Sequence, residues 1–285
     1  MKFTVIGLKH EAALVRGIAK ELGVNPQLVT PKKYKAGEWA VFSPADIKER
    51  VVVAGNVWED PIETFQLSLL LKAVHVAGAK NGTLIAPWFA YGRQDRSVKK
   101  GEAPAGRVIA DLILSTEVNK VVTLDAHSKR FQDFFKGKMV NILPTDYAAE
   151  FARRKNITAV AAPDMGARDR ARLLSGKLRS PFIQIKKDRL GPGKVVSRIA
   201  SGKPKGEDVL LVDDIADTGD TLFKAAAALK DGGARSVSAY LSHTTDLKKF
   251  RAQAKKHGIT HVEAAFDHKS RKFSVPFKLL VSKGF

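Results

Sequence analysis

Short apolar runs alternate with longer segments of helical periodicity along most of the chain. RVVVAGNV (50–57) precedes IETFQLSLLLKAVHVAG (62–78), and DVLLVDDI (208–215) precedes TLFKAAAALKDGG (221–233). Continuous apolar strands that alternate with amphipathic helices are typical of parallel sheets covered on both faces. The pattern therefore predicts an α/β fold in which mainly parallel sheets are flanked by helices.

This alternation runs through the chain twice, which predicts two domains. We place them at residues 1–142 and 143–285, with NILPTD (141–146) as the candidate linker. The final apolar run, FKLLVSK (277–283), is a candidate to return to the first domain, and the pattern leaves that point open.

Composition narrows the possible chemistry. The 285 residues include no cysteine, which excludes disulfides, thiolate catalysis and zinc–thiolate sites. A metal would have to use Asp, Glu, His or substrate oxygens, which favours magnesium held partly by phosphates. No apolar run reaches the ~20 residues of a membrane span, and the first residues are charged too early for a secretory signal. We therefore expect a cytoplasmic protein without a membrane partner.

The chain is strongly basic, with 49 Lys and Arg against 29 Asp and Glu and a net charge of +20. Such a charge is typical of nucleic-acid-binding proteins, of enzymes with anionic substrates, and of proteins whose surface is simply rich in Lys and Arg. The basic residues are spread along the chain without a basic tail. This spread favours a charged surface first and an anionic substrate second, so we do not expect nucleic acid as a partner.

The segment VLLVDDIADTGDT (209–221) carries the densest candidate chemistry. An apolar strand leads into a short loop and then into a helix, and ligands of open parallel sheets bind at the carboxyl ends of strands. The helix N-terminus offers N–H groups to a phosphate, while carboxylates accept hydrogen bonds from sugar hydroxyls. An ordinary acidic helix cap would not need four aspartates. The candidate residues are Asp213, Asp214, Asp217, Thr218, Gly219, Asp220 and Thr221.

Two other predicted strands end in polar residues. Asp125 and His127 follow one strand, two residues apart and expected on the same side, where they could hold a metal or a metal-bound phosphate. The alternative is a structural histidine. Asp164 ends the other strand and precedes a helix that opens with Arg168, Arg170 and Arg172. That helix start could bind an anion, or could present a solvated basic face.

Two basic segments add candidates for polyphosphate binding. FAYGRQDR (89–96) supplies Arg93, Gln94, Asp95 and Arg96, and arginine forks suit a polyphosphate, although a generic basic loop has the same composition. IKKDRLGPGKV (185–195) combines Lys and Arg with Gly and Pro. It is either a mobile loop that closes over a reacting anion or an exposed hairpin.

Together these segments resemble the ribose-phosphate diphosphokinases, also called phosphoribosyl pyrophosphate synthetases. The resemblance rests on VLLVDDIADTGDT, FAYGRQDR with EAPAGRVIADLI, LDAHSKRFQDFF and PDMGARDRAR, in this order and spacing. It implies two phosphoribosyltransferase-like domains with the active site between them. It also implies magnesium-dependent transfer of the diphosphoryl group of ATP to the C1 hydroxyl of ribose 5-phosphate, for nucleotide biosynthesis, by a homo-oligomer built from dimers.

The resemblance also implies residue roles. It assigns the magnesium site to His127 and Asp164, and the catalytic pair to Lys187 and Arg189. The ribose 5-phosphate site would comprise the seven residues from Asp213 to Thr221 named above. The ATP contacts would be Tyr34, Glu38, Arg93, Gln94, Asp95 and Arg96, the first two reaching ATP from a neighbouring subunit.

The chain departs from the family pattern at three of these places. Ala36 replaces a usual aspartate between Tyr34 and Glu38, and Asp220 stands where a small residue is usual. The catalytic loop reads KKDRLGPGK, where many members have more arginine and proline. We expect Asp220 to point away from the phosphate or to contact metal or solvent. Rival interpretations are a phosphoribosyltransferase, which shares the VDDIADTGDT type of loop, a non-catalytic regulatory homologue, and a nucleic-acid-binding regulator on the same fold.

Overall fold

A computed structural model describes residues 3–191 and 194–282, with the backbone alone for 189–191, 194 and 195. The chain divides into two compact units. One comprises Met1–Ile142 with Pro276–Phe285, and the other comprises Leu143–Val275. Within the described residues, no helix combines the length and the apolar character that crossing a bilayer requires.

The first unit contains a parallel sheet with strand order β2-β1-β5-β6-β7-β8 over the described residues. The strands of this unit are β1 (Thr4–Leu8), β2 (Pro26–Val29), β3 (Lys32–Lys33), β4 (Trp39–Ala40), β5 (Arg50–Ala54), β6 (Asn81–Ile85), β7 (Lys120–Leu124) and β8 (Met139–Ile142). Its helices are α1 (Ala12–Glu21), α2 (Pro61–Val76), α3 (Ala105–Leu114) and α4 (Lys129–Phe134). The short strands β3 and β4 pair separately as an antiparallel hairpin.

The last described segment belongs to this first unit. Helix α9 (Lys278–Val281) contacts α1 and β7. Gly17 of α1 lies directly against the ring of Phe277, where any Cβ would collide. The glycine thus allows the C-terminal segment to approach the helix closely.

The second unit has sheet order β11-β10-β9-β12-β13-β14-β15 over the described residues. Its strands are β9 (Ala159–Ala162), β10 (Phe182–Gly191), β11 (Lys194–Ser201), β12 (Asp208–Ala216), β13 (Ser236–Thr244), β14 (Val262–Asp267) and β15 (Lys272–Phe273). Its helices are α5 (Thr145–Arg154), α6 (Arg168–Leu178), α7 (Asp220–Asp231) and α8 (Leu247–Lys256). The central strands are parallel, while β10 with β11 and β14 with β15 form antiparallel pairs.

The predicted fold class is confirmed, because both units contain a mainly parallel sheet with flanking helices. The apolar faces of the strands pack against the helices, and strands β9 and β12 are buried along most of their length. Strand β10 continues to Gly191 and pairs with β11, so the described residues of 185–195 follow the hairpin alternative. Residues 192 and 193 of this segment lie outside the described part of the structure.

Candidate functional site

The acidic loop of the second unit lies at the carboxyl end of β12. The strand ends at Ala216, and α7 begins at Asp220 with Gly219 as its N-cap residue. Gly219 has a φ of 85°, and a Cβ there would lie 2.5 Å from Phe223 Cζ and 2.7 Å from Phe250 Cε2. Both constraints require glycine at this position. The loop therefore turns tightly and presents the start of α7, where helical N–H groups lack intrahelical partners.

Two aspartates are buried just before this loop. Asp213 is 9% exposed and Asp214 is 7% exposed, although adjacent carboxylates in the core repel each other. Arg170 Nη1 lies 3.6 Å from Asp213 Oδ1 and 3.6 Å from Asp214 Oδ1. Burial raises the pKa of Asp213 well above its usual range, the charge of Asp214 raises this pKa further, and Arg170 opposes the shift. The pair can accept hydrogen bonds from a ligand with hydroxyl groups.

The rest of the predicted loop residues are more accessible. Asp217, Thr218 and Asp220 are exposed, and Thr221 is half-buried. These three exposed residues line a cleft of about 630 Å³ between α7 and α8, together with Lys224 and Lys249 among others. Asp220 is thus an exposed first-turn acid of α7, a position that the positive end of the helix dipole stabilises.

The turn after β9 brings a third carboxylate near this pair. Asp164 Oδ1 accepts hydrogen bonds from the backbone N–H of Gly166 at 3.0 Å and of Ala167 at 3.2 Å, which fixes the turn into α6. Its other oxygen accepts a hydrogen bond from Lys187 Nζ at 2.8 Å. The charge of Asp164 contributes to the raised pKa of Asp213. The carboxylates of Asp164 and Asp213 therefore interact, and together with Asp214 they form one electrostatic cluster.

The basic hairpin supplies Lys187 to this cluster. Lys187 lies in β10 opposite Ser197 of β11, and its neighbour Asp188 pairs instead with Lys186 and Arg198. The side chain of Arg189, the other predicted catalytic residue, lies outside the described part of the structure. Gln184, which is buried, donates hydrogen bonds from Nε2 to the carbonyl oxygen of Asp164 at 2.9 Å and to that of Ile185 at 2.7 Å.

In the first unit, the candidate segments after β6 and β7 are held to each other. Ser128 Oγ donates a hydrogen bond to Asp95 Oδ2 at 2.6 Å and accepts one from the N–H of Phe131 at 3.0 Å, which caps α4. The hydrogen bond from Ser128 therefore holds the Asp95 carboxylate in place. Its neighbours Arg93, Gln94 and Arg96 are exposed.

Helix α3 packs closely against the same segment. A Cβ on Gly106 would lie 2.9 Å from the carbonyl oxygen of Tyr91 and 3.1 Å from that of Gln94. The N–H of Gly106 donates a hydrogen bond to the carbonyl oxygen of Gln94 at 3.0 Å, and the Tyr91 hydroxyl donates one to the carbonyl oxygen of Glu59 at 2.9 Å. The glycine of EAPAGRV thus shapes the GRQDR segment through close backbone packing.

Asp125 and His127 do not continue the strand. β7 ends at Leu124, and Asp125 has a φ of 44° in the left-handed region while remaining buried. The argument from strand alternation therefore does not apply to this pair. His127 is exposed, two residues after Asp125. Among the described residues, no group of three or more His, Asp or Glu side chains is arranged to hold a metal ion.

Tyr34 and Glu38 are brought together at the tip of the β3–β4 hairpin. The N–H of Tyr34 donates to the carbonyl oxygen of Glu38 at 2.8 Å, and both side chains are exposed. Lys32 Nζ lies 4.9 Å from the centre of the Tyr34 ring. The hairpin therefore presents an aromatic and an acidic side chain on the surface of this unit.

Sequence reasoning missed the contacts made by Ser128, Arg170 and Gln184. From sequence alone, Arg170 is only one of three arginines at the start of α6. Its neighbour Arg172 is exposed and lies over the Phe182 ring at 5.1 Å. The sequence signal for the Arg170 contact was the Asp213–Asp214 pair at the end of an apolar strand, because adjacent buried carboxylates require a nearby cation.

Comparison with known proteins adds independent information. Residues 3–116 match the N-terminal domain of ribose phosphate pyrophosphokinase, and residues 136–280 match the phosphoribosyl transferase domain. A ribose-phosphate pyrophosphokinase of Vibrio cholerae is 32% identical over 81% of this chain and 75% of the relative. One of Porphyromonas gingivalis is 30% identical over 85% of this chain and 78% of the relative.

A solved structure shows the same fold. The phosphoribosylpyrophosphate synthetase of Mycobacterium smegmatis has a TM-score of 0.78 and 24% sequence identity, covering 92% of this chain and 88% of that chain. At this identity the likeness concerns the fold alone.

Proposed function

Because the chain belongs to the ribose-phosphate pyrophosphokinase family of transferases, we propose that it transfers the diphosphoryl group of ATP to ribose 5-phosphate. The C1 hydroxyl of the sugar would attack the β-phosphorus, the bond between the α- and β-phosphates would break, and AMP would leave. The observation that carries this proposal is the buried Asp213–Asp214 pair directly before a glycine turn at the start of α7. It combines acceptors for ribose hydroxyls with donors for a phosphate.

The sugar phosphate would bind in the second unit. Asp213, Asp214 and Asp217 would accept hydrogen bonds from ribose hydroxyls. The 5-phosphate would bind at the N-terminus of α7, with Gly219 allowing close backbone approach and Thr218 and Thr221 supplying hydroxyls. Asp220 would stay at the margin of this site, which fits its exposure and its place in the first helical turn.

ATP would bind to the segment after β6 in the first unit. Arg93, Gln94 and Arg96 are exposed on this segment, and the hydrogen bond from Ser128 to Asp95 restricts its conformation. Tyr34 and Glu38, on the exposed hairpin tip, would contact ATP bound to a second copy of the chain. This arrangement requires a homo-oligomer built from dimers.

Lys187 and Arg189 would stabilise the diphosphoryl group during transfer. Charge grows on the phosphate oxygens as the bond breaks, and a positioned cation stabilises that charge most where water is excluded. The ion pair of Lys187 with Asp164 supports this role, because it places the ammonium group within the carboxylate cluster.

Magnesium fits part of the proposed metal site. A carboxylate oxygen suits this ion, which usually takes one or two carboxylates and completes its coordination with substrate phosphates and water. Asp164 meets that description, with a partly exposed carboxylate, and His127 would assist at the phosphates. When bound, the ion would neutralise phosphate charge and orient the two substrates. We also propose a cytoplasmic enzyme of nucleotide biosynthesis, without a nucleic-acid partner.

A direct assay tests the reaction. The protein is mixed with Mg²⁺ and ATP, with or without ribose 5-phosphate, and the nucleotides are separated by chromatography. We expect AMP only when the sugar phosphate is present. Formation of ADP, or no AMP, would refute the proposal, and a phosphoribosyltransferase would give the second result.

A further inference from the structure

We propose that Arg170 is a positioning residue for the sugar site, where it holds the carboxylates of Asp213 and Asp214 in the orientation that binds ribose hydroxyls. The inference rests on the proposed function and gives a role to a residue to which the family resemblance assigns none. Arg170 would act through the two aspartates without contacting the reacting atoms.

The first support is geometry. One nitrogen, Nη1 of Arg170, lies 3.6 Å from an oxygen of each aspartate. The three side chains are 12%, 12% and 10% exposed, so water screens their interaction weakly. Asp213 and Asp214 are consecutive on β12, and side chains of consecutive strand residues normally leave opposite faces. A single guanidinium group nevertheless reaches both carboxylates.

The second support is electrostatic. The buried carboxyl of Asp213 has a raised pKa because of desolvation and of its neighbours Asp214 and Asp164. Arg170 favours the ionised form. An ionised carboxylate only accepts hydrogen bonds, whereas a protonated one also carries a donor, and a pair that must accept from sugar hydroxyls benefits from staying charged. Loss of Arg170 would leave two buried carboxylates without this cation.

The third support is that Arg170 and Arg172 of α6 make different contacts. Arg172, two residues further along, is exposed and lies over the Phe182 ring. It is therefore a matched control, with the same side chain on the same helix but without a described ion pair to the aspartates.

The experiment compares Arg170→Met, Arg170→Lys and Arg172→Met with the wild type. Calorimetric titration measures the Kd of ribose 5-phosphate, and steady-state kinetics measure kcat and the KM of each substrate. For Arg170→Met we expect ribose 5-phosphate binding to weaken by about 10- to 100-fold, the scale on which groups of one ion-pair network are coupled. The KM of ATP should change by less than about twofold. Arg170→Lys, which keeps the charge, should recover much of the binding, and Arg172→Met should bind as the wild type does.

The outcomes separate the inference from the function. If the wild type binds no ribose 5-phosphate, the proposed function fails. If the wild type binds it and a folded Arg170→Met variant binds equally well, only the role of Arg170 is overturned. A purely structural role predicts an equal rise in the KM of both substrates and no recovery by lysine. If Arg170→Met does not fold, the Arg170→Lys variant tests the role of Arg170. In that variant, a change in the KM of ATP as large as the change in the KM of ribose 5-phosphate would contradict the inference.

Discussion

Lys187 Nζ lies 2.8 Å from Asp164 Oδ2, so the proposed catalytic cation is paired with the proposed magnesium ligand. The other oxygen of Asp164 is occupied by two backbone N–H groups of the turn into α6. The carboxylate thus links the β10 strand to the turn that follows β9. This link explains how a lysine on a hairpin arm is directed toward the acidic pair of β12.

The proposed catalytic role of Lys187 predicts a specific loss of activity in the Lys187→Ala variant. Removing one donor to a developing negative charge typically costs about 100- to 1,000-fold in kcat. We expect a loss of at least that order, with ribose 5-phosphate binding retained in a calorimetric titration. Lys186→Ala is the control, because Lys186 pairs with Asp188 on the same strand. Normal turnover of Lys187→Ala would contradict the assignment.

Asp213 is predicted to lower the stability of the protein as the pH rises. Its folded-state pKa is raised, so its contribution to stability is fully present below the unfolded pKa and is lost as the pH rises through the folded value. We expect Asp213→Asn to melt at a higher temperature than the wild type at pH 8, by about 2–4 °C for each kcal/mol gained. The difference should shrink at pH 5.

The same Asp213→Asn variant should bind ribose 5-phosphate poorly, because the amide replaces a charged acceptor. Asp217→Asn, at an exposed position of the same loop, should weaken binding without the gain in melting temperature. A lower Tm for Asp213→Asn at pH 8 would show that the carboxylate stabilises the fold, against this account.

A buried histidine pair predicts the opposite pH dependence. His268 Nε2 lies 3.4 Å from His243 Nδ1, and desolvation together with the charge of His243 lowers the pKa of His268 to about 2. The unfolded chain therefore takes up a proton below about pH 6.5 that the folded chain does not, so stability falls as the pH falls.

Replacing His268 with Gln tests this dependence. Between pH 7.5 and pH 5.5 we expect the wild type to lose about 1 kcal/mol of unfolding free energy more than His268→Gln does, measured by urea denaturation. His261→Gln changes an exposed histidine and should follow the wild type. Equal losses in the wild type and in His268→Gln would contradict the lowered pKa.

Ser128 is predicted to affect ATP selectively. Ser128→Ala removes the hydrogen bond to Asp95 and the cap of α4, and loss of such a cap costs about 1 kcal/mol. Because the GRQDR segment would lose a fixed contact, we expect the KM of ATP to rise several-fold while that of ribose 5-phosphate stays unchanged. Ser128→Thr keeps the hydroxyl and should restore ATP binding. An unchanged KM of ATP in Ser128→Ala would refute the link.

The alternation of strands and helices was sufficient to predict the fold class, because the strands β9 and β12 are buried and apolar. The position of the acidic loop also followed from sequence, since VLLVDDIADTGDT contains a strand, a glycine turn and a helix start. Periodicity could not predict the length of the β10–β11 hairpin. Its residues beyond Gln184 are mostly polar, and in that part β10 and β11 pair with each other while β9 pairs only with Phe182–Gln184.

Contacts between residues that are far apart along the chain could not be predicted from the sequence. Arg170 reaches Asp213 across 43 positions, and Ser128 reaches Asp95 across 33. Three arginines, Arg168, Arg170 and Arg172, open the same helix, and the described ion pairs to the two aspartates are those of Arg170. Which arginine reaches the acidic pair depends on how α6 packs against β12, which local pattern does not determine.

The central claim is tested most directly by following both ends of ATP in one reaction. ATP labelled in adenine and at the γ-phosphorus is incubated with the protein, Mg²⁺ and ribose 5-phosphate, and the labelled products are counted. We predict one AMP for each sugar product, with the γ-phosphorus in the sugar product. Labelled ADP together with a sugar that gained a single phosphate would contradict the account.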